Sequence, residues 1–215
     1  MHTKYQVRTV IAGLLFGVSQ VLSSCSETKE TGDAIVYRAF NDSLLASARS
    51  GDVVLRCGRD ELSKLFSRLN TRDQSYSHCG VLSCTDSGQY VTHIIGDSHH
   101  SVSDIVYEPV TAFIRPETNK RWALVRYDLD SVAQENFLQG VHLLREEGIR
   151  FDVAFDLLTD DRMYCTELVY KLLLQASADS GYLKPTISSS GRKYIAIDNL
   201  FGNVHSTTIC AISYK

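Results

Sequence analysis

The sequence predicts an α+β domain, an antiparallel sheet with helices packed around it. Three observations carry this prediction. Trp122 to Tyr127 (WALVRY) is a strong strand signal. Ser77 to Cys84 and Gln89 to Ile95 are two further strands, joined by the turn-type run Thr85-Asp86-Ser87-Gly88. Ser131 to Glu147 and the segment that begins at Cys165 both carry apolar residues at helical spacing.

The first 25 residues read as a leader. His2, Lys4 and Arg8 precede a mostly apolar run from Val10 to Leu22, and Leu22-Ser23-Ser24-Cys25 follows. That run is too short for a stable bilayer span and has the shape of a secretory signal. The Leu-Ser-Ser-Cys end resembles a bacterial lipobox, in which Cys25 is lipidated after cleavage and becomes the first mature residue. One acyl chain binds a membrane only marginally, whereas several hold a protein firmly. The resemblance implies a protein lipid-anchored in the bacterial cell envelope, extracytoplasmic, with the membrane as a partner through its N-terminus. The expected organisation is 1–25 signal peptide and lipobox, 26–33 tether and 34–215 one domain. With 44% hydrophobic residues the chain has ample material for a core. A net charge of -3 and no basic run argue against nucleic acid as a partner.

Along the domain, Asp33 to Arg49 has helical spacing, with Ile35, Phe40, Leu44 and Leu45 as apolar positions. Gly51-Asp52 turns the chain into the strand Val53-Val54-Leu55-Arg56-Cys57. Asp60 to Leu69 returns to helical spacing, with Leu62, Leu65, Phe66 and Leu69 on one stripe expected to pack. Tyr107 to Val110 adds a short strand, and Gly148 ends the Ser131 helix. Phe151 to Leu158 fits neither period. Thr159-Asp160-Asp161 supplies capping-type residues before the Cys165 helix. There Cys165, Leu168, Val169, Leu172 and Ala176 share one face, which turns the cysteine toward the sheet. Thr207 to Tyr214 is a last strand.

The chemistry rests on Cys165 and two histidines. Alternate strand residues share a face, so His78, Gly80 and Leu82 point the same way. A two-residue turn at Asp86-Ser87 pairs Thr85 with Gly88 and sets His93 opposite Gly80. His78 and His93 are then diagonal neighbours on one face, roughly 7–8 Å apart at the backbone. A three-residue loop without a bulge would send His93 to the other face. On the first geometry Cys165 is a candidate nucleophile, His78 its base and His93 the residue that orients the base. A helix N-terminus favours thiolate and offers N–H groups to an oxyanion.

The plainer alternative is that Cys165 is a core thiol and each histidine a satisfied structural residue. Cys57, Cys79, Cys84 and Cys210 fit buried free thiols better than a disulfide framework. His99-His100 fits a solvated loop; His142 and His205 fit structural roles. Glu167 in the first helical turn fits the helix dipole. Neighbours His78 and Cys79 point to opposite faces, and Cys84 lies about 20 Å along the strand from His78. No metal site and no cofactor are therefore expected.

Gly51-Asp52-Val53-Val54, Tyr76-Ser77-His78-Cys79-Gly80-Val81 and Tyr164-Cys165-Thr166-Glu167-Leu168-Val169 together resemble the circularly permuted papain-like amidases of the NlpC-related superfamily, of the YaeF/YiiX type. Phe151-Asp152, Phe155-Asp156 and Ile197-Asp198-Asn199-Leu200-Phe201 extend the likeness, which spans about residues 51–204. It implies a permuted papain-like fold, its antiparallel sheet packed against the cysteine helix. It also implies Cys165 as nucleophile, His78 as base and His93 in the third polar position, where such proteins often carry glutamate. The function implied is a membrane-anchored cysteine hydrolase cleaving an amide bond, with peptidoglycan stem peptides as a substrate class. A related acyltransferase group, which has histidine at the third position, implies a lipid acyl hydrolase or acyltransferase as the alternative. A catalytically idle binding protein on the same fold is the reading from another class.

Overall fold

Strand after strand of this chain finds an antiparallel neighbour. The computed structural model describes residues 32–96 and 103–215. Cys25, the expected leader, residues 26–31 of the expected tether and His99-His100 lie outside the described residues. Helix α1 (Gly32–Leu45) leads into β1 (Val53–Gly58) and α2 (Glu61–Ser67). Strands β2 (His78–Thr85), β3 (Gly88–Ile94) and β4 (Ile105–Pro109) follow, then α3 (Val110–Phe113), β5 (Asn119–Tyr127) and α4 (Ser131–Glu146). The two-residue strands β6 (Arg150–Phe151) and β7 (Arg162–Met163) pair in parallel just ahead of α5 (Cys165–Ser177). Strands β8 (Thr186–Ile187) and β9 (Lys193–Tyr194), a 3-10 turn (Ile197–Asn199) and β10 (Ser206–Ser213) complete the chain.

Six strands form one sheet in the order β10-β5-β1-β2-β3-β4, with every neighbouring pair antiparallel. The α+β class expected from the sequence is the observed one. Each strand alternates, so the sheet has an apolar layer on both faces. One face carries Val53, Leu55, Cys79, Val81, Ala123 and Val125 against α4 and α5. The other carries Val54, Leu82, Val91, Trp122 and Leu124 against α1 and α3. Trp122 Nε1 donates to Asn41 Oδ1 at 3.0 Å, which docks α1 on the second face.

Several expectations need correction. Phe40 is exposed, because the side of α1 that docks runs through Asn41, Leu44 and Leu45. Cys84 is exposed near the end of β2 and Cys210 is half-buried on the edge strand β10; Cys57 and Cys79 are buried, and all four are free thiols. Helix α1 begins at Gly32, within the 26–33 segment expected as a tether. The largest departure is α2. Leu62, Leu65 and Leu69 are 59%, 55% and 41% exposed, so their stripe does not enter the core.

The hairpin has the two-residue turn: Thr85 pairs with Gly88 and Val81 with Thr92. Gly80 then faces the backbone and side chain of β3 at close range. A Cβ added there would lie 2.4 Å from Val91 Cγ1 and 2.8 Å from both His93 Cβ and Thr92 O. We expect Gly80→Ala to destabilise the domain by about 1–3 kcal/mol, the usual cost of overpacking. The measurement is the urea midpoint at unchanged m-value.

Candidate active site

Helix α5 is placed by burial. Leu168, Val169, Leu172 and Leu173 are 5% exposed or less, each contributing roughly 1.5–3 kcal/mol when fully buried. Their packing against β2 carries the helix start to the beginning of that strand. The N-cap is Tyr164, not the expected Thr159-Asp160-Asp161 run, because β7 intervenes. Tyr164 N donates to Glu167 Oε2 at 3.2 Å, a backward-reaching cap. Cys165 is thus the first helical residue and half-buried, and both Cys79 and His78 act on its thiol. The contact from Cys79 does most to pull the Cys165 thiol well below its ordinary range, and the nearby His78 adds to it against burial. Cys79 moves the other way: full burial, with Cys165 beside it, pushes its thiol well up. Of the two sulfurs Cys165 is the one that ionises.

His78 and His93 meet as the two-residue turn requires. His78 Nε2 and His93 Nδ1 are 2.9 Å apart, and His93 Nε2 lies 3.1 Å from Glu108 Oε1. Glu108 sits on β4, where Val106 pairs with His93, so Glu108 is the diagonal neighbour on the same face. Burial pushes the His93 imidazole down to about 4, with Glu108 opposing. The hydrogen bond from His93 in turn holds the Glu108 carboxyl below its ordinary value. At neutral pH this means a neutral imidazole beside a carboxylate, and that fixes the protons. His93 Nε2–H donates to Glu108, leaving His93 Nδ1 to accept from His78 Nε2–H. His78 Nδ1 is then the nitrogen left for the proton of Cys165.

Arg56 is a further site residue that the sequence reading passed over. It pairs with His78 across β1 and β2, and its guanidinium lies 4.6 Å from the centroid of Phe113. Burial lowers its pKa first of all, while the charges of Glu108 and Cys165 oppose that shift. An arginine inside the apolar strand Val53–Gly58 is the signal that marks it. Glu108 has a similar signal, a carboxylate within the short strand Ile105–Pro109.

The remaining quoted motifs are supports. Asp52 accepts both Nε and Nη2 of Arg126 at 2.7 Å, and Gly51 at φ 90° turns the chain into β1. Asp198 Oδ2 accepts the N–H groups of Thr71 and Arg72 at 2.9 and 2.5 Å, fastening the loop before His78. Asp152 accepts the N–H groups of Ala154, at 2.8 Å, and Asp156, ordering the loop before α5. His142 is exposed on α4, and His205 stacks on Tyr182 at 4.2 Å.

No protein-family model matches this chain, and no curated protein matches it. Among solved structures it is similar to one described as the metalloprotein yiiX from Escherichia coli O157:H7, DUF1105. The similarity covers 75% of this chain and 96% of that one, at a TM-score of 0.58 and 20% identity. The class is therefore an α+β fold built on one large antiparallel sheet. Within that class the fold is YiiX-like.

Glu167 carries a pH-dependent prediction. It is fully buried, with Lys171 Nζ 3.0 Å from Oε1. Burial raises its carboxyl from 4.5 to about 7, outweighing Lys171. The folded state then holds this proton to higher pH than the unfolded chain. Between about pH 4.5 and 7 folding binds more protons, so stability falls as pH rises, by up to roughly 3 kcal/mol. Glu167→Gln keeps an acceptor for Tyr164 N and has no such titration. Thermal unfolding from pH 5 to 8 should show the native protein losing stability relative to Glu167→Gln.

Proposed function

We propose that the protein is a cysteine hydrolase of the permuted papain-like type, acting on an amide bond. The observation that carries this reading is the line Cys165, His78, His93, Glu108. It couples a thiol of lowered pKa to an imidazole whose tautomer is set by a buried histidine and a carboxylate.

The steps follow from that line. His78 Nδ1 takes the proton of Cys165, and the thiolate attacks the substrate carbonyl. N–H groups of the first turn of α5, which have no intrahelical partner, stabilise the oxyanion. Arg56, whose charge acts on Cys165, adds positive potential there. His78 returns its proton to the leaving amine as the carbon–nitrogen bond breaks. Water then attacks the thioester with His78 as base, releasing the acid and restoring Cys165. His93 and Glu108 hold His78 in one tautomer and orientation throughout.

The structural neighbour is described as a metalloprotein, so the donors here need weighing. Among the described residues no group of three or more His, Cys, Asp and Glu side chains is arranged to hold a metal. Both nitrogens of His93 and Nε2 of His78 are already engaged. The site does not fit a metal centre, and no step is routed through one.

The lipobox-like Leu22-Ser23-Ser24-Cys25 supports an extracytoplasmic protein anchored to the bacterial envelope by lipid on Cys25. Among the described residues no helix is long and apolar enough to cross a membrane. The resemblance admits two substrate classes, peptidoglycan stem peptides and lipid amides or esters.

A thiol-directed electrophilic probe should label Cys165 at neutral pH and leave Cys165→Ser unlabelled; equal labelling of both would refute the nucleophile assignment. Loss of the base in His78→Ala should cut the rate of inactivation by the probe about 10²–10⁴-fold. Glu108→Ala, one hydrogen bond further away, should cut it less than His78→Ala and more than a surface substitution such as His142→Ala.

A further inference from the structure

Helix α2 packs through its polar side and turns its apolar side out. Ser63, Ser67 and Asn70, at spacing i, i+4, i+7, face the protein; Ser67 and Asn70 are buried and Ser63 is half-buried. Asn70 donates to Tyr76 O at 2.8 Å and accepts from Ile197 N at 2.9 Å. Leu62, Leu65 and Leu69 are all exposed. A surface helix of a globular domain normally does the reverse.

Two neighbouring segments extend this apolar surface. Tyr194 OH donates to Leu69 O at 3.0 Å, which joins β9 to α2, and Lys193 of β9 pairs with Ile187 of β8. Phe155 lies 6.0 Å from Phe66, ring centroid to centroid, and Arg192 donates to Ala154 O. Those contacts join the loop before α5 to both α2 and the β8–β9 hairpin. On these segments Ile187, Val153 and Leu158 are 64%, 76% and 89% exposed. Single exposed apolar residues are ordinary, but a cluster of them drawn from three segments marks an interaction surface.

Charge and position say what covers it. Residues 59–73 and 186–194 together carry six cations against three carboxylates, in a chain where carboxylates outnumber cations 25 to 22. Of the three, Asp60 caps α2 and Asp73 accepts Ser75 N. In the loop before α5, Asp160 is paired with Lys171 at 2.9 Å and Asp161 with Arg162 at 3.7 Å. A second copy of this chain, docked by a two-fold contact, would set like charge against like. An anionic lipid surface complements the patch.

The course of α1 agrees. Gln89 Nε2 donates to Leu45 O at 3.0 Å, so α1 ends beside the β2–β3 turn. Tyr37, nearer its start, meets Tyr214 edge-on at 5.0 Å, and Tyr214 N donates to Lys120 O. Lys120 follows Asn119, which pairs with Gly58 at the end of β1. Helix α1 therefore begins at the end of the sheet from which α2 departs. Cys25 precedes Gly32 by seven residues, at most about 25 Å of extended chain. On the lipid-anchor reading, that end of the sheet is the one tethered close to the membrane.

We propose that the outward leucines of α2, with Val153, Leu158 and Ile187, dock on an anionic bilayer surface as a second, protein-borne contact beside the lipid on Cys25. The proposal rests on the envelope-anchored reading and is independent of the substrate of Cys165. The leucines enter the boundary between headgroups and acyl chains, and the cations around them meet lipid phosphates.

The test uses the full chain with Cys25→Ser, which carries no lipid, and vesicles of phosphatidylcholine alone or mixed in equal parts with phosphatidylglycerol. Trp122 is the single tryptophan and is fully buried, so a tryptophan introduced by Leu65→Trp reports on α2. Its emission should shift to the blue on the mixed vesicles and be quenched by brominated lipid. Val132→Trp is the control, on the first turn of α4, where Gln134 donates to Ser50 O at the opposite end of β1; it should not respond. Adding Lys64→Glu and Arg68→Glu to the Leu65→Trp chain should weaken partition into the mixed vesicles at least tenfold. A silent Leu65→Trp, equal responses at both positions, or no effect of the charge reversals overturns the proposal. A shift that follows protein concentration without vesicles assigns the surface to a second copy and also overturns it. Incorporation of labelled palmitate at Cys25 in cells tests the anchor separately. A lipidated Cys25 with a silent Leu65→Trp refutes the docking surface alone; a responding Leu65→Trp with no lipid on Cys25 refutes the anchor and leaves the surface standing.

Discussion

The register of the β2–β3 hairpin is the constraint on which the site depends. Side chains alternate with period two, so a slip of one residue would send His93 to the opposite face and leave His78 without its partner. The two-residue turn at Asp86-Ser87 holds the register at Thr85↔Gly88. Gly80 then keeps the space between the imidazoles clear. The same alternation carries through β3 to β4, where Val106 faces His93 and Glu108 falls within reach of it. One turn thereby aligns two imidazoles and a carboxylate across three strands.

Helix α5 meets that line from the other side of the sheet. Its apolar face is fixed by the core, and its N-terminal residue falls at the start of β2. The electrostatics are divided by burial. His93 stays neutral because it is buried, and Glu108, less buried and bonded to it, stays ionised. A buried carboxylate at Glu167 behaves in the opposite sense, since Lys171 does not offset its desolvation. Each of these groups would titrate ordinarily in water; position decides which carry charge.

The quoted motifs divide into those that touch chemistry and those that build its walls. Gly51-Asp52, Phe151-Asp152 and Ile197-Asp198 contribute carboxylates that accept backbone N–H groups or an arginine fork rather than reacting. Asp198 pins the loop before His78, Asp152 the loop before Cys165, and Asp52 ties the start of β1 to Arg126 on β5. Some apolar surface left outside the core is used near the site: Leu62, Phe66 and Leu69 line the pocket at Cys165 instead of packing on the sheet.

Much of this was legible in the residues. Strand and helix periods pointed to the α+β class and the turn residues to a hairpin, because both are local properties of short segments, while its register stayed conditional on a two-residue turn that the strand pairing supplies. The helical spacing from Cys165 to Ala176 placed the thiol on the packed side of its helix. Three things were decided only by tertiary structure. Amphipathic spacing on α2 says that one side is apolar but not whether a core or a cavity receives it. Glu108 joins His93 through a strand pairing between segments that are separated in sequence by residues 95–104. Arg56 and Cys79 meet Cys165 only when α5 packs on the sheet. Local patterns report what each segment prefers; which segments face one another depends on long-range packing, and the charge states of the site follow from that.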